Sequence, residues 1–325
     1  MKPPFSVIFL TTLIGMGQGL FLALYSEQIY LSLTQGEMEP FNFFFLVSTC
    51  IALCLTGLGL IASFFHLGHP ERAWRSAACW KTSWLSREVI ALPLFILFVF
   101  IYSLNFFPGF TTHILKVDSI TINLSIVTGF LCSILCIVLF VCTSMIYACL
   151  RFLQEWNSLF TMINFMLMGC ASGFILAATI SSFMAPLLTL NYVVIAIVLT
   201  ILAATSRSLS LARNKKLRPK STIQSALGIN NPKIVQKSQG AMGGSFNTRI
   251  FFHGKSRLFF KSIKWIFLTL AFLIPIIMLL MELENNRPFI LLFALLIQYI
   301  GLIAERWYFF AEAKHPQNLY YQAIS

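Results

Sequence analysis

The amino-acid sequence predicts an all-α fold, a polytopic integral membrane protein built as a bundle of eight transmembrane helices. Three observations predict it. The 325 residues are 58% hydrophobic and only 10% charged, where soluble domains carry about 25% charged residues. The mean hydropathy is +0.82. Several apolar runs reach the roughly 20 residues that a helix needs to cross a bilayer core, and the 33 Phe suit helices that face lipid.

The first helix is expected over about Phe5 to Tyr25. It is longer than a signal-peptide core and no small-residue cleavage pattern follows it, so it stays as a span. Its centre, Gly15-Met16-Gly17-Gln18-Gly19, suits close helix packing on glycine. Gln18 offers in addition a polar contact to a bound headgroup. A loop at 26–42 with Glu27, Glu37 and Glu39 leads to helix 2 at about Phe43 to Phe65. Helix 3 is expected over Val89 to Phe107, with Pro93 in its first turns, where proline is tolerated. A loop at 108–118 precedes helix 4, about Ile120 to Cys149, which contains no charge. Helix 5 spans about Leu159 to Phe183, Pro186 marks a tight turn, and helix 6 runs from Leu187 to Thr205. After a long polar segment come helix 7, Ile263 to Met281, and helix 8, Pro288 to Phe310, with Glu305 and Arg306 late in the last span.

Residues 1–325 thus read as a single membrane domain, interrupted between helices 6 and 7 by an exposed basic loop at 206–261. That loop is rich in Ser, Asn, Lys and Gly, a composition that argues against a second folded domain. It is a solvated linker or a contact for anionic lipid or an acidic partner face. Sparse aromatic residues there give no support for nucleic-acid binding. An even number of spans puts both termini on one side. All but Lys116 and Arg287 of the 23 Lys and Arg fall on that side, and the positive-inside rule makes it the cytoplasm.

What is absent narrows the chemistry. The eight cysteines lie almost all in apolar runs and form no C-x-x-C, so neither an iron–sulfur cluster nor another metal site is expected in this chain. The five histidines fall at helix ends or in loops, whereas haem between spans needs axial histidines within them. The span centres are almost free of charge, which disfavours an ion-coupled transporter.

The densest polar stretch outside the basic loop is FFHLGHPERAWRSAACWKTSWLSREV, Phe64 to Val89. His66 leaves helix 2 and Glu88 enters helix 3, so both fall at one membrane–water boundary. A histidine and a carboxylate there suit taking protons from a hydroxyl group, as the oxidation of a lipid-soluble quinol requires. Pro70-Glu71 opens an interfacial helix with Trp74, Ala77 and Ala78 inward and Arg72 and Arg75 toward water. Gln18 and Arg72 are weaker candidates for a pocket wall. The bland alternative has His66 as a helix cap and Glu88 paired with Arg87 or Arg72, and Trp74, Trp80 and Trp84 read as an interfacial aromatic belt.

Five segments carry a resemblance: PPFSVIFLTTLIGMGQGLFLAL at 3–24, FFHLGHPERAWR at 64–75, TSWLSREV at 82–89, MIYACLRFLQEWNSLFTMINFMLMGCASGFILA at 145–177 and ERWYFFAEAKHPQNLYY at 305–321. With them the chain resembles the membrane-anchor subunit of the bacterial anaerobic dimethyl sulfoxide reductase family. The resemblance implies an inner-membrane anchor without metal centres that oxidises menaquinol and passes electrons to a four-cluster iron–sulfur subunit. That subunit feeds a molybdopterin catalytic subunit reducing dimethyl sulfoxide or related S- and N-oxides. It also implies that the histidine of the HLG motif and the acid of the SRE motif, His66 and Glu88 here, serve the quinol. Related catalytic subunits often carry twin-arginine export signals, which leaves open the side on which the partners dock. A purely structural anchor and, at a greater distance, a small-molecule transporter are the competing functions.

Overall fold

The computed structural model describes residues 5–34, 38–65, 67–107, 113–117, 120–218, 222–234, 257–283 and 287–314, with the backbone alone at 113–117, 120–122 and 257. Six long helices come first: α1 (Phe5–Leu33), α2 (Asn42–Phe64), α3 (Trp84–Leu104), α4 (Leu124–Ala148), α5 (Leu159–Met184) and α6 (Pro186–Lys216). A short α7 (Ile223–Leu227) follows, then α8 (Arg257–Leu268), a π-helical turn at Thr269–Leu273, α9 (Ile274–Glu282) and α10 (Pro288–Glu312). With α8, the π turn and α9 forming one rod, eight helices among the described residues are long and apolar enough to cross a membrane. The protein is an integral multi-pass membrane protein.

The bundle is organised around α1 and α5. Of their most apolar stretches 72% and 67% are buried, against 28–39% in the other six spans. Glycine makes this possible. Gly15 and Gly19 on α1 face Gly169 and Gly173 on α5, and a Cβ on Gly19 or Gly173 would overlap the opposing backbone. Both helices thus present small residues at i and i+4, the spacing that lets two helix backbones touch. The packing reading of the 15–19 stretch is what the structure shows, and its α5 counterpart completes it. Around this pair α2 covers α1, α3 and α4 form an antiparallel hairpin, and α6 returns along α5 after the single residue Ala185. α10 closes the bundle against α5, α8 and α9. The π turn has a local cause: Pro275 lacks an N–H and its ring would press on the carbonyl four residues earlier, that of Ala271, so the helix widens there.

Several boundaries differ from the sequence reading, each for a packing reason. The expected loop at 26–42 is helical as far as Leu33, because Glu27 and Gln28 are buried with partners. Asn191 Nδ2 donates to Glu27 Oε1 at 2.9 Å, Gln28 Nε2 donates to Ser125 Oγ at 2.7 Å, and the Tyr102 hydroxyl donates to Gln28 Oε1 at 2.6 Å. Helix α3 starts at Trp84, with Ser83 as its N-cap accepting from the Ser86 N–H, so Pro93 sits well inside it. Helix α6 runs eleven residues past Thr205, so 206–216 is not part of an exposed loop: Ser206, Arg207, Ser210 and Leu211 are buried. Between α3 and α4 lies a two-stranded antiparallel ribbon, β1 (His113–Val117) where a loop was expected and β2 (Ile120–Asn123) where helix 4 was expected to begin, so α4 starts only at Leu124. Of the basic loop, 219–221 and 235–256 lie outside the described residues.

Candidate functional site

Three features build the site at the end of the bundle that carries the start of α1 and the ends of α4 and α10. Glu88 lies one turn into α3 and is 7% exposed. Thr143, near the end of α4, donates its hydroxyl to Glu88 Oε1 at 2.6 Å. Beside them is a cavity of about 20 Å³ lined from α1 by Thr11, Thr12, Gly15 and Gln18, and by Glu88, Thr143, Phe165, Met168 and Arg306 among others. Its polar groups come from five helices, which is how membrane proteins assemble ligand sites from isolated polar residues in apolar spans.

Gln18 holds its place through its amide, which donates to the Cys136 carbonyl on α4 at 2.9 Å. That carbonyl is already the natural acceptor of its own helix, so Gln18 ties α1 to α4 without breaking a turn. Glu88 is paired with neither Arg87 nor Arg72. Arg87 turns outward, donating from Nε to the Trp80 carbonyl at 2.9 Å and from Nη2 to the Lys81 carbonyl at 2.8 Å, with its guanidinium 4.2 Å from the centre of the Trp84 ring. Among the described residues no Lys or Arg forms an ion pair with Glu88.

The structure therefore brings Gln18 and Glu88 to one cavity and leaves Arg72 away from it. Arg72 sits on a 3₁₀ helix, Pro70–Cys79, with its side chain 60% exposed and its Nε 3.7 Å from Glu71. His66 lies outside the described residues. The expected inward face of Trp74, Ala77 and Ala78 is corrected: Trp74 is 71% exposed and Ala78 is exposed, while Ala73, Ser76 and Ala77 are half-buried. Three residues per turn instead of 3.6 bring i and i+3 onto one line, and that line is Ala73–Ser76. Trp80 is likewise exposed, and Arg75 and Lys81 lie near the Trp74 and Trp80 rings.

Sequence reasoning missed Thr143 and Arg306. A threonine in an apolar helix gives no signal by itself. Arg306 did give one, a charged Glu-Arg dipeptide within a span, but the pair is not at a wet interface. Glu305 is 1% exposed and Arg306 5%. Glu305 Oε1 stands 2.8 Å from Arg207 Nε of α6, whose Nη2 is 3.9 Å from Glu312 Oε2. Arg306 lies over the Phe165 ring, 3.7 Å from its centre. Beneath this, Tyr147, Trp156, Phe165, Phe309 and Phe310 form an aromatic cluster, and Trp156 Nε1 donates to the Phe309 carbonyl at 3.0 Å. A second, open groove between α1 and α2 is apolar, lined by Phe9, Leu13, Leu58, Ile61 and Phe65.

Residues 1–321 match the family described as DMSO reductase anchor subunit (DmsC). A curated relative from Allochromatium vinosum, a sulfite dehydrogenase subunit, is 46% identical over 329 residues, covering 100% of each chain.

Proposed function

Because the chain belongs to the DMSO reductase anchor-subunit family, we propose that it is the quinol-handling subunit of a heterotrimeric oxidoreductase in the bacterial inner membrane. It oxidises menaquinol at the Glu88 cavity and passes the electrons to a four-cluster iron–sulfur subunit, which feeds a molybdopterin catalytic subunit. One observation carries this reading: Glu88 is buried on a cavity wall and is held by a hydroxyl, not neutralised by a base. A carboxylate so placed can accept a proton from a ligand hydroxyl, which a salt-bridged one does poorly.

The reaction balances as quinol giving quinone, two protons and two electrons. Glu88 takes one hydroxyl proton, His66 is assigned the other, and the electrons leave singly for the iron–sulfur partner. Gln18 contributes a wall and Arg72 is not needed there. The cavity, about 20 Å³, is far smaller than ordinary ligand pockets of roughly 300 Å³ or more. Ring entry therefore requires lining side chains such as Met168 and Leu302 to move aside. The cavity lies at the end of the bundle rich in Lys and Arg, which we read as cytoplasmic, with the partners docked on that face.

The relative's name favours a second direction. A sulfite dehydrogenase draws electrons from its substrate, so its anchor would deliver them to a quinone. The same Glu88 would then donate protons, as microscopic reversibility demands. Comparing sulfite-driven quinone reduction with menaquinol-driven dimethyl sulfoxide reduction in membranes holding the intact complex separates the two.

The site itself is tested by titrating a fluorescent hydroxyquinoline N-oxide, a quinol-ring analogue, into membranes holding the wild-type complex, Glu88→Gln or His66→Ala. Saturable binding lost in both variants, with assembly and artificial-donor activity kept, is the expected result. Unchanged binding in both would make the chain a structural anchor at this end.

A further inference from the structure

The Glu88 cavity has a second charged wall, Arg306, which the proposed reaction has not yet used. A guanidinium carries five N–H donors and needs acceptors when buried. Arg306 is 5% exposed. Among the described residues its side-chain polar contacts are a 3.8 Å approach of Nη2 to the Met168 thioether, a weak acceptor, and a 3.6 Å approach of Nε to Glu305 Oε2. The second exceeds N–H···O hydrogen-bond length. Glu305 is meanwhile drawn to Arg207, at 2.8 Å. The guanidinium is thus fixed on one face by the Phe165 ring at 3.7 Å and at its Nε edge by Glu305, while the residue lines the cavity.

Resting on the quinol reading above, we propose that Arg306 is a quinol- and quinone-binding residue that donates hydrogen bonds to one ring oxygen while Glu88 handles the hydroxyl proton at the other. Arg207 and Glu305 are its positioning residues. The cavity lining then holds both a donor, Arg306, and an acceptor, Glu88, together with apolar and aromatic side chains such as Ile14, Phe140 and Leu302. This arrangement suits a flat ring carrying two opposed oxygens. A phospholipid headgroup would find one cation but, at Glu88, an opposing carboxylate. As a quinol becomes a quinone, its oxygens lose their protons and turn into pure acceptors, so the Arg306 contact strengthens along the reaction.

The test titrates the fluorescent hydroxyquinoline N-oxide into membranes holding the assembled complex with Arg306→Lys, Arg306→Met, Glu305→Gln/Arg306→Met or Glu88→Gln. Each preparation is also assayed for menaquinol KM and kcat. Arg306→Met and the double variant are expected to bind the analogue about tenfold more weakly, the worth of one hydrogen bond to a charged group. Their KM rises by a similar factor, and Arg306→Lys falls between them and wild type. Wild-type affinity in Arg306→Met with loss in Glu88→Gln would overturn the role of Arg306 and leave the quinol site standing. Wild-type affinity in all variants would remove both. Should neither Met variant assemble, Arg306→Lys decides, because it keeps the charge beside Glu305 while losing the planar fork, and unaltered affinity there counts against the proposal.

Discussion

Thr143 Oγ1 donates to Glu88 Oε1 at 2.6 Å, so a hydroxyl on α4 sets the orientation of the carboxylate that α3 brings to the cavity. Thr143→Val keeps the shape and removes the donor. The carboxylate then loses its fixed orientation and a hydrogen bond whose net worth to a charged acceptor is about 1.5–3 kcal/mol. Quinol-driven turnover is expected to fall about tenfold while the artificial-donor rate of the same membranes stays at wild type. Thr143→Ser, which restores the hydroxyl, is expected to recover most of it. Equal losses in both assays would instead mean that the bond serves assembly.

The close approach of α1 and α5 gives a prediction about folding. A Cβ on Gly173 would overlap the backbone at Gly19 and Leu20, and neither helix can retreat because each is enclosed by others. Gly173→Val is expected to abolish accumulation of the subunit in membranes, together with quinol-driven activity. Gly57 faces open space, with no atom within 4 Å of its Cβ position, so Gly57→Ala is expected to accumulate normally. Quantifying membrane-bound subunit by immunoblot checks both.

The eight spans were legible because each is a long apolar run, and lipid solvent forces such runs into helices whatever their neighbours do. What could not be read was where polar residues inside or beside those runs find partners. Glu27 and Gln28 looked like loop until Asn191, Ser125 and Tyr102, far away in sequence, supplied their hydrogen bonds. Arg207 looked like the first base of a solvated loop until Glu305 arrived from α10. The cavity shows the same division. Gln18 announced itself as a polar residue in an apolar span and Glu88 as the acid that enters helix 3 from the polar stretch, but Thr143 and Arg306 reach the site only through the packing of α4 and α10. The face of the Pro70–Cys79 segment was misread because its period is three residues, a choice that local sequence did not disclose.

Arg87 links that surface segment to α3 by donating to the Trp80 and Lys81 carbonyls while stacking on Trp84. Since Arg87 points away from Glu88, its loss is expected to loosen the segment without touching the cavity. Arg87→Ala is expected to raise amide hydrogen exchange over residues 79–84 several-fold, reflecting a local opening cheaper by about 1–2 kcal/mol. Affinity for the quinol analogue should stay within about twofold of wild type. Loss of analogue binding with unaltered exchange would show that Arg87 belongs to the site and not to the surface.

Buried charges make the final prediction, because removing one partner and removing both have opposite consequences. Arg207 and Glu305 are 2% and 1% exposed and stand 2.8 Å apart. Arg207→Gln leaves the Glu305 carboxylate in the bundle with Arg306 Nε, at 3.6 Å, as its remaining basic neighbour among the described residues. Breaking a buried pair in this way typically costs about 3–5 kcal/mol. The lone carboxylate would also pull Arg306 toward itself and out of the cavity. Arg207→Gln is therefore expected to lower the thermal midpoint of the detergent-solubilised complex and to weaken analogue binding together. In Arg207→Gln/Glu305→Gln the charges of the pair are both removed, but Arg306 loses Glu305 and Glu312 loses Arg207, so the midpoint should return only part of the way to wild type. Arg306 would then keep the Phe165 ring but no carboxylate beside it, and analogue binding should stay impaired despite the partly recovered stability. Recovery of both properties in the double variant would show that the pair matters for stability and plays no part in aiming Arg306.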